Sequence, residues 1–247
     1  SPALSPPSAV PGPVISHHGV LRVTISPSST AWAIFGKVER NYQRVFESIP
    51  FWRYVENSLI VVVLATAGTL LASSFVAYAF ARLNWPGRTV AFGLLLSTMM
   101  LPAQVTMVPS FMIWRGLGLY NTLCPLWLPA WFGTAFFIFL MVQYMRTIPR
   151  ELEEAARIDG SSMLRTWAQI ILPETKPALA AIAIMVFMAS WNEFMMPLIY
   201  LRDQSKFPLS IGLYALRLDS PEGGTDWTAI MAGTVLMTLP AVIVFFL

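Results

Sequence analysis

Glu154-Ala155-Ala156-Arg157-Ile158-Asp159-Gly160, followed at a fixed distance by Ile171-Leu172-Pro173, is an island of charge between long apolar runs in a chain of 247 residues. The apolar runs decide the fold class. Windows free of Asp, Glu, Lys and Arg cover 57–81, 89–114, 116–145 and 227–247, and 177–201 holds a single charge at Glu193. Each reaches the roughly 20 residues needed to cross a bilayer core of about 30 Å. They lack the apolar/polar alternation of membrane barrel strands, so helices are expected. With 56% hydrophobic and 12% charged residues, the chain reads as an all-α, multi-pass bundle in a lipid bilayer, with five visible spans.

The formal charge of +3 is spread over loops and nearly balanced, which argues against a nucleic-acid partner. Cys124 is the only cysteine and sits in an apolar run, so neither a disulfide framework nor a thiolate metal site is expected. Residues 1–33 are rich in Pro and Ser and are expected to be irregular, leaving 34–247 as the membrane domain. Residues 36–56 mix charges with Tyr42, Phe46, Phe51 and Trp52, a pattern suited to an amphipathic segment at the interface. The chain opens without Met and stops inside an apolar run, so its C-terminus reads as truncated.

Arg82 and Arg88 flank a short turn with no acid, Asn84-Trp85-Pro86-Gly87, which places that turn in the cytoplasm. The loop near Arg115 then lies outside, 146–176 inside and 202–226 outside. Over all loops this placement counts seven Lys and Arg inside and nine outside, so charge alone does not fix orientation.

The island has its own helix signals. Pro149 suits a first helical turn, Glu151, Glu153 and Glu154 follow where negative charge is favoured, and Gly160 suits a left-handed cap. The expected helix is about 11 residues, roughly 16 Å long. Leu152, Ala155, Ala156 and Asp159 would share one side, where the small Ala pair admits a close neighbour beside Glu154 and Arg157. A second helix is expected from Ser161 or Ser162, with Leu164, Trp167 and Ile171 on one face until Pro173 stops it. A helix resting on lipid headgroups would show the same pattern.

Polar groups inside the spans are the other candidates for function. Glu193 is the only ionisable side chain within a span, and Pro197 withdraws the helical hydrogen bond from its carbonyl. Asn192, the Glu193 carboxylate and that carbonyl would form one polar cluster, with Trp191 as a surface for stacking a sugar. Pro102 and Pro109 similarly free the carbonyls of Thr98 and Val105, with Gln104 between them, as in broken helices that line transport paths. One expectation is that Thr98, Gln104, Asn192 and Glu193 face a common path. A rival is an ion-coupled secondary transporter using Glu193.

The run 154–160 and its spacing to Ile171-Leu172-Pro173 resembles the EAA loop of membrane subunits of bacterial ABC importers. Asn41-Tyr42, Asn57-Ser58-Leu59-Ile60, Gly118-Leu119-Tyr120-Asn121-Thr122, Trp191-Asn192-Glu193-Phe194 and Met231-Ala232-Gly233 are similar to the carbohydrate-uptake branch, the group of the maltose transporter's second permease. The resemblance implies a non-catalytic permease of a prokaryotic inner membrane, normally with six spans, importing a sugar or sugar-like solute. It implies partners too: a second permease, two ATPase subunits and an external solute-binding protein. Glu153, Glu154, Ala155, Ala156, Arg157, Asp159 and Gly160 would couple this chain to the ATPase. No phosphate loop of the form Gly-x-x-x-x-Gly-Lys-Ser/Thr occurs here, so ATP and Mg would be held by that partner and no cofactor by this chain.

Overall fold

A computed structural model describes the backbone of residues 27–215 and 227–246, with side chains from residue 36 onward. The helices are α1 Pro27–Ser48, α2 Phe51–Arg82, α3 Arg88–Thr98, α4 Ala103–Gly116, α5 Cys124–Trp127, α6 Ala135–Thr147, α7 Glu151–Ile158, α8 Met163–Thr166, α9 Leu172–Glu174, α10 Lys176–Trp191, α11 Met195–Tyr200, α12 Leu209–Ala215 and α13 Trp227–Phe246. No strand occurs among the described residues.

The bundle is organised around α2, whose 32 residues extend about 48 Å. Helices α6 and α10 and the short 3₁₀ turn Leu128–Phe132 pack along it. Small buried residues, Ala65, Gly68, Thr69, Ser73 and Ala77, let those neighbours come close to its backbone. Tyr78, Ile138, Met141, Val142, Met145, Ile171 and Ile182 fill the space between them.

Gly68 shows how tight this packing is. A Cβ there would lie 2.3 Å from Cδ1 of Trp131, whose indole N–H donates to the Leu64 carbonyl at 3.1 Å. We expect Gly68→Val to displace the ring and lower stability by about 1–3 kcal/mol, read as an earlier melting transition of the detergent-solubilised protein. An unchanged transition would contradict this packing.

Among the described residues three helical stretches are long and apolar enough to cross a membrane, and two bent pairs bring the total to five if each pair is one span. The expected five spans are therefore reached only by counting bent pairs. Between α3 and α4 the chain turns through 97°. Pro102 causes the break, since it cannot donate a helical hydrogen bond and disfavours helix at Leu101. Pro109, by contrast, sits inside α4. The second bend, 77°, separates 163–174 from α10. Window 177–201 is also interrupted, at residues 192–194.

The N-terminal expectations need adjustment. Residues 1–26 lie outside the described residues, but 27–33 are helical and not irregular. The amphipathic stretch 36–56 is divided at Pro50, so its charged and aromatic residues belong to two helices.

The two ends of α2 gather different loops. Its Arg82 end holds the 83–87 turn and α7, which are thus on the same side, as the alternation of the apolar windows predicts. At the other end Asn57 Nδ2 donates to the carbonyls of Ser205 and Phe207 at 3.0 and 3.1 Å, and Ser58 Oγ accepts the Leu209 N–H at 2.8 Å. Asn121, at a left-handed φ of 58°, accepts the N–H groups of Arg202 and Asp203 on Oδ1, both at 3.0 Å. The loops near 120 and 202–209 therefore also share one end.

Candidate functional site

At the Arg82 end of α2, α7 is shorter than expected: 8 residues, about 12 Å. Its C-terminus closes as the sequence predicts. Gly160 adopts φ 75°, its N–H bonds the Arg157 carbonyl at 3.1 Å, and the Ser161 N–H bonds the Ala156 carbonyl at 2.9 Å. These two bonds form a Schellman cap, which requires a residue at ease with positive φ.

The faces of α7 differ from the expected ones. Glu153 (5% exposed) and Ala156 point into the bundle, whereas Leu152, Glu154, Ala155, Arg157, Ile158 and Asp159 face outward. The Ala pair is therefore split, with one residue packed and one free. Glu153 is not an outward contact: its Oε1 lies 3.1 Å from Nε of Arg82, and both side chains are buried. Those two atoms form an ion pair outside good hydrogen-bond alignment. Nη2 of Arg82 also donates to the carbonyls of Met145 and Ile148, the latter at 2.7 Å. One guanidinium thus joins the C-terminal ends of α2 and α6 to α7, and it supplies positive charge where the α6 dipole is negative.

The second island helix is also re-shaped. Ser162 caps α8, its Oγ accepting the Arg165 N–H at 3.4 Å. A π turn then spans Trp167–Ile171, because Pro173 has no N–H to give the Gln169 carbonyl and the ladder widens ahead of it. Ile171 is buried and Trp167 packs edge-on against Phe75 at 5.5 Å, but Leu164 is exposed and leaves the expected face.

The candidate path residues fall into different places. Thr98 lines a cavity of 620 Å³ and Glu193 an adjoining one of 300 Å³, the two sharing Leu126, Pro129, Ala189 and Ser190. Gln104 is exposed on α4 and lines neither. Trp191 is a core residue, 1% exposed, stacked on Phe187 at 5.7 Å with its N–H on the Met237 carbonyl at 2.9 Å. It offers no face to a solute. Asn192 turns back to the Met188 carbonyl at 2.8 Å.

Glu193 itself sits in the break between α10 and α11, not within a continuous span. Its Oε1 accepts the N–H groups of Met195 and Met196 at 2.9 and 3.2 Å, closing the start of α11. Its carbonyl, which Pro197 leaves without a helical donor, accepts the Ser210 hydroxyl at 2.7 Å. The polar cluster thus forms around Glu193 and Ser210 and omits Asn192. In the loop after α11, hydrogen bonds from the side chain and N–H of Ser205 hold the Asp203 carboxyl below the ordinary carboxylate range.

Comparison with known proteins bears on both ends of the molecule. The sn-glycerol-3-phosphate transport system permease protein UgpE of Shigella flexneri is 32% identical over 197 residues, covering 80% of this chain and 69% of its own length. The arabinooligosaccharides transport system permease protein AraQ of Halalkalibacterium halodurans is 36% identical over 195 residues, 79% of this chain and 68% of its own. A bacterial ABC transporter that imports the acidic polysaccharide alginate superposes with a TM-score of 0.72 at 28% identity, covering 83% of this chain and 76% of that one. The MetNI methionine ABC transporter shares the fold, with a TM-score of 0.58 at 16% identity. The profile of the binding-protein-dependent transport system inner membrane component matches residues 69–247, and the chain belongs to that family of non-catalytic permease subunits of ABC importers.

Proposed function

We propose that this permease takes a sugar or sugar-like solute through the cavities beside α2, driven by an ATPase that docks on the outward face of α7. The observation that carries the coupling is the asymmetry of that helix. Glu153 and Ala156 fix it to the bundle, while Leu152, Ala155 and Ile158 (87% exposed) form an uncovered apolar strip flanked by Glu154 and Arg157. Acids at 151 and 154 suit a protein cleft better than an anionic headgroup layer. The carbohydrate reading draws on the named relatives, whose solutes are a glycerol phosphate, arabino-oligosaccharides and alginate. The working assembly would add a second permease, two ATPase subunits carrying ATP and Mg, and an external solute-binding protein.

The test uses Gly160. A Cβ there would meet nothing within 4 Å, so an Asp side chain is expected to extend toward the proposed docking face, and Asp tolerates left-handed backbone better than most residues. Gly160→Asp is expected to fold and insert normally yet lose the co-purifying ATPase. Retention of the ATPase at wild-type stoichiometry would contradict docking at α7.

A further inference from the structure

The smaller cavity gathers Glu193 with side chains that no sequence motif singled out. Trp114 and Tyr200 contribute aromatic groups, Ser110 and Ser190 hydroxyls, and Glu193 a carboxylate. Oε1 of Glu193 is committed to the start of α11, whereas Oε2 has no partner among the described residues. The hydroxyls of Ser110 and Ser190 likewise make no hydrogen bond among the described residues. Unused acceptors and hydroxyls beside an indole ring complement a sugar, whose C–H face is apolar and whose edge carries hydroxyl donors. At 300 Å³ the cavity is at the low end of small-ligand pockets, with room for a monosaccharide unit.

Charge narrows the solute further. Neither this cavity nor the adjoining one has Lys or Arg in its lining, and Glu193 is the single charged group between them. A phosphate or uronate here would face a carboxylate with no countercharge in a medium of low dielectric, which costs far more than in water. The relatives with anionic solutes therefore do not set the expectation for this chain.

We propose that this cavity is a saccharide subsite of the translocation path, selecting an uncharged sugar unit over a phosphorylated or uronic one. Glu193 Oε2, Ser110 and Ser190 hold the hydroxyls and Trp114 the apolar face. The proposal rests on the importer reading above.

The experiment places a reporter thiol in the cavity by Ala189→Cys, a lining position that holds none of the sugar hydroxyls, in a Cys124→Ala background, within the assembled transporter in nanodiscs. Its alkylation rate is followed with a panel of neutral oligosaccharides of the arabino, malto and cello series, and with sn-glycerol 3-phosphate and an alginate trimer as anions. A neutral member is expected to slow labelling at least about fivefold and the anions to leave it unchanged. Adding Glu193→Gln keeps the α11 contact through the amide oxygen but weakens the hydroxyl acceptor. It should raise the half-protecting concentration about tenfold, the weight of one charge-assisted hydrogen bond. Protection by an anion, or by no member of the panel while the ATPase still co-purifies, overturns the subsite and leaves the importer reading standing. Absence of the ATPase from the wild-type complex overturns both.

Discussion

Replacing Arg82 with Gln is expected to cost about 3–5 kcal/mol and to abolish uptake, because it strands the buried Glu153 carboxylate and removes the donors that tie α6 to α7. Arg82 lies at the end of α2, the longest helix among the described residues, and through it a displacement of α7 is expected to reach α2 and α6 together. Lysine should rescue little, since one ammonium cannot reproduce Nε on Glu153 and Nη2 on two carbonyls. The double variant Arg82→Met, Glu153→Leu leaves no stranded charge and should recover much of the stability. Melting curves in detergent separate these cases. A single Arg82→Gln variant that melts with the wild type would contradict the pair's role.

The second large effect is expected at Gly212, at the opposite end. A Cβ at this position would sit 2.1 Å from Cδ2 of Tyr54, which is 1% exposed and packed beside Phe207, so the ring has nowhere to go. Gly212→Ala should therefore reach the upper end of the usual overpacking cost, about 3 kcal/mol. The shift would be felt at Glu193, because Ser210, two residues earlier in α12, holds its carbonyl. Melting and uptake should fall together. A stable variant with normal uptake would show that the α12 contact is not rigid.

Features with strong local causes could be read from sequence. Uncharged windows marked the membrane stretches, Gly160 the end of α7, and Pro197 the freed carbonyl at Glu193. Features set by tertiary contact could not. Periodicity on an 8-residue helix does not say which side faces the bundle, and Glu153 turns inward only because Arg82 waits there. The clue was present, since an Arg that ends a 25-residue uncharged run needs a partner. Trp191 reads in the sequence as a surface for stacking a sugar, but Phe187 at i−4 hints at the stack that buries it. Pro102 marks the break before α4, but its 97° size is not legible from the residues on either side. Ser110, Trp114 and Tyr200 belong to separate segments that only the fold brings to one cavity.

The most direct measurement is a photo-cross-link from α7 to the ATPase. In a Cys124→Ala background, Ala155→Cys or, as the control at the other end, Leu198→Cys is labelled with benzophenone maleimide and irradiated in the purified complex. Both positions are exposed in the chain alone, and labelling is quantified before irradiation so that adducts are compared per labelled thiol. The account predicts an adduct with the ATPase from position 155 and none from position 198. A co-purifying ATPase that gives no adduct from 155, or equal adducts from both, would contradict docking on the outward face of α7.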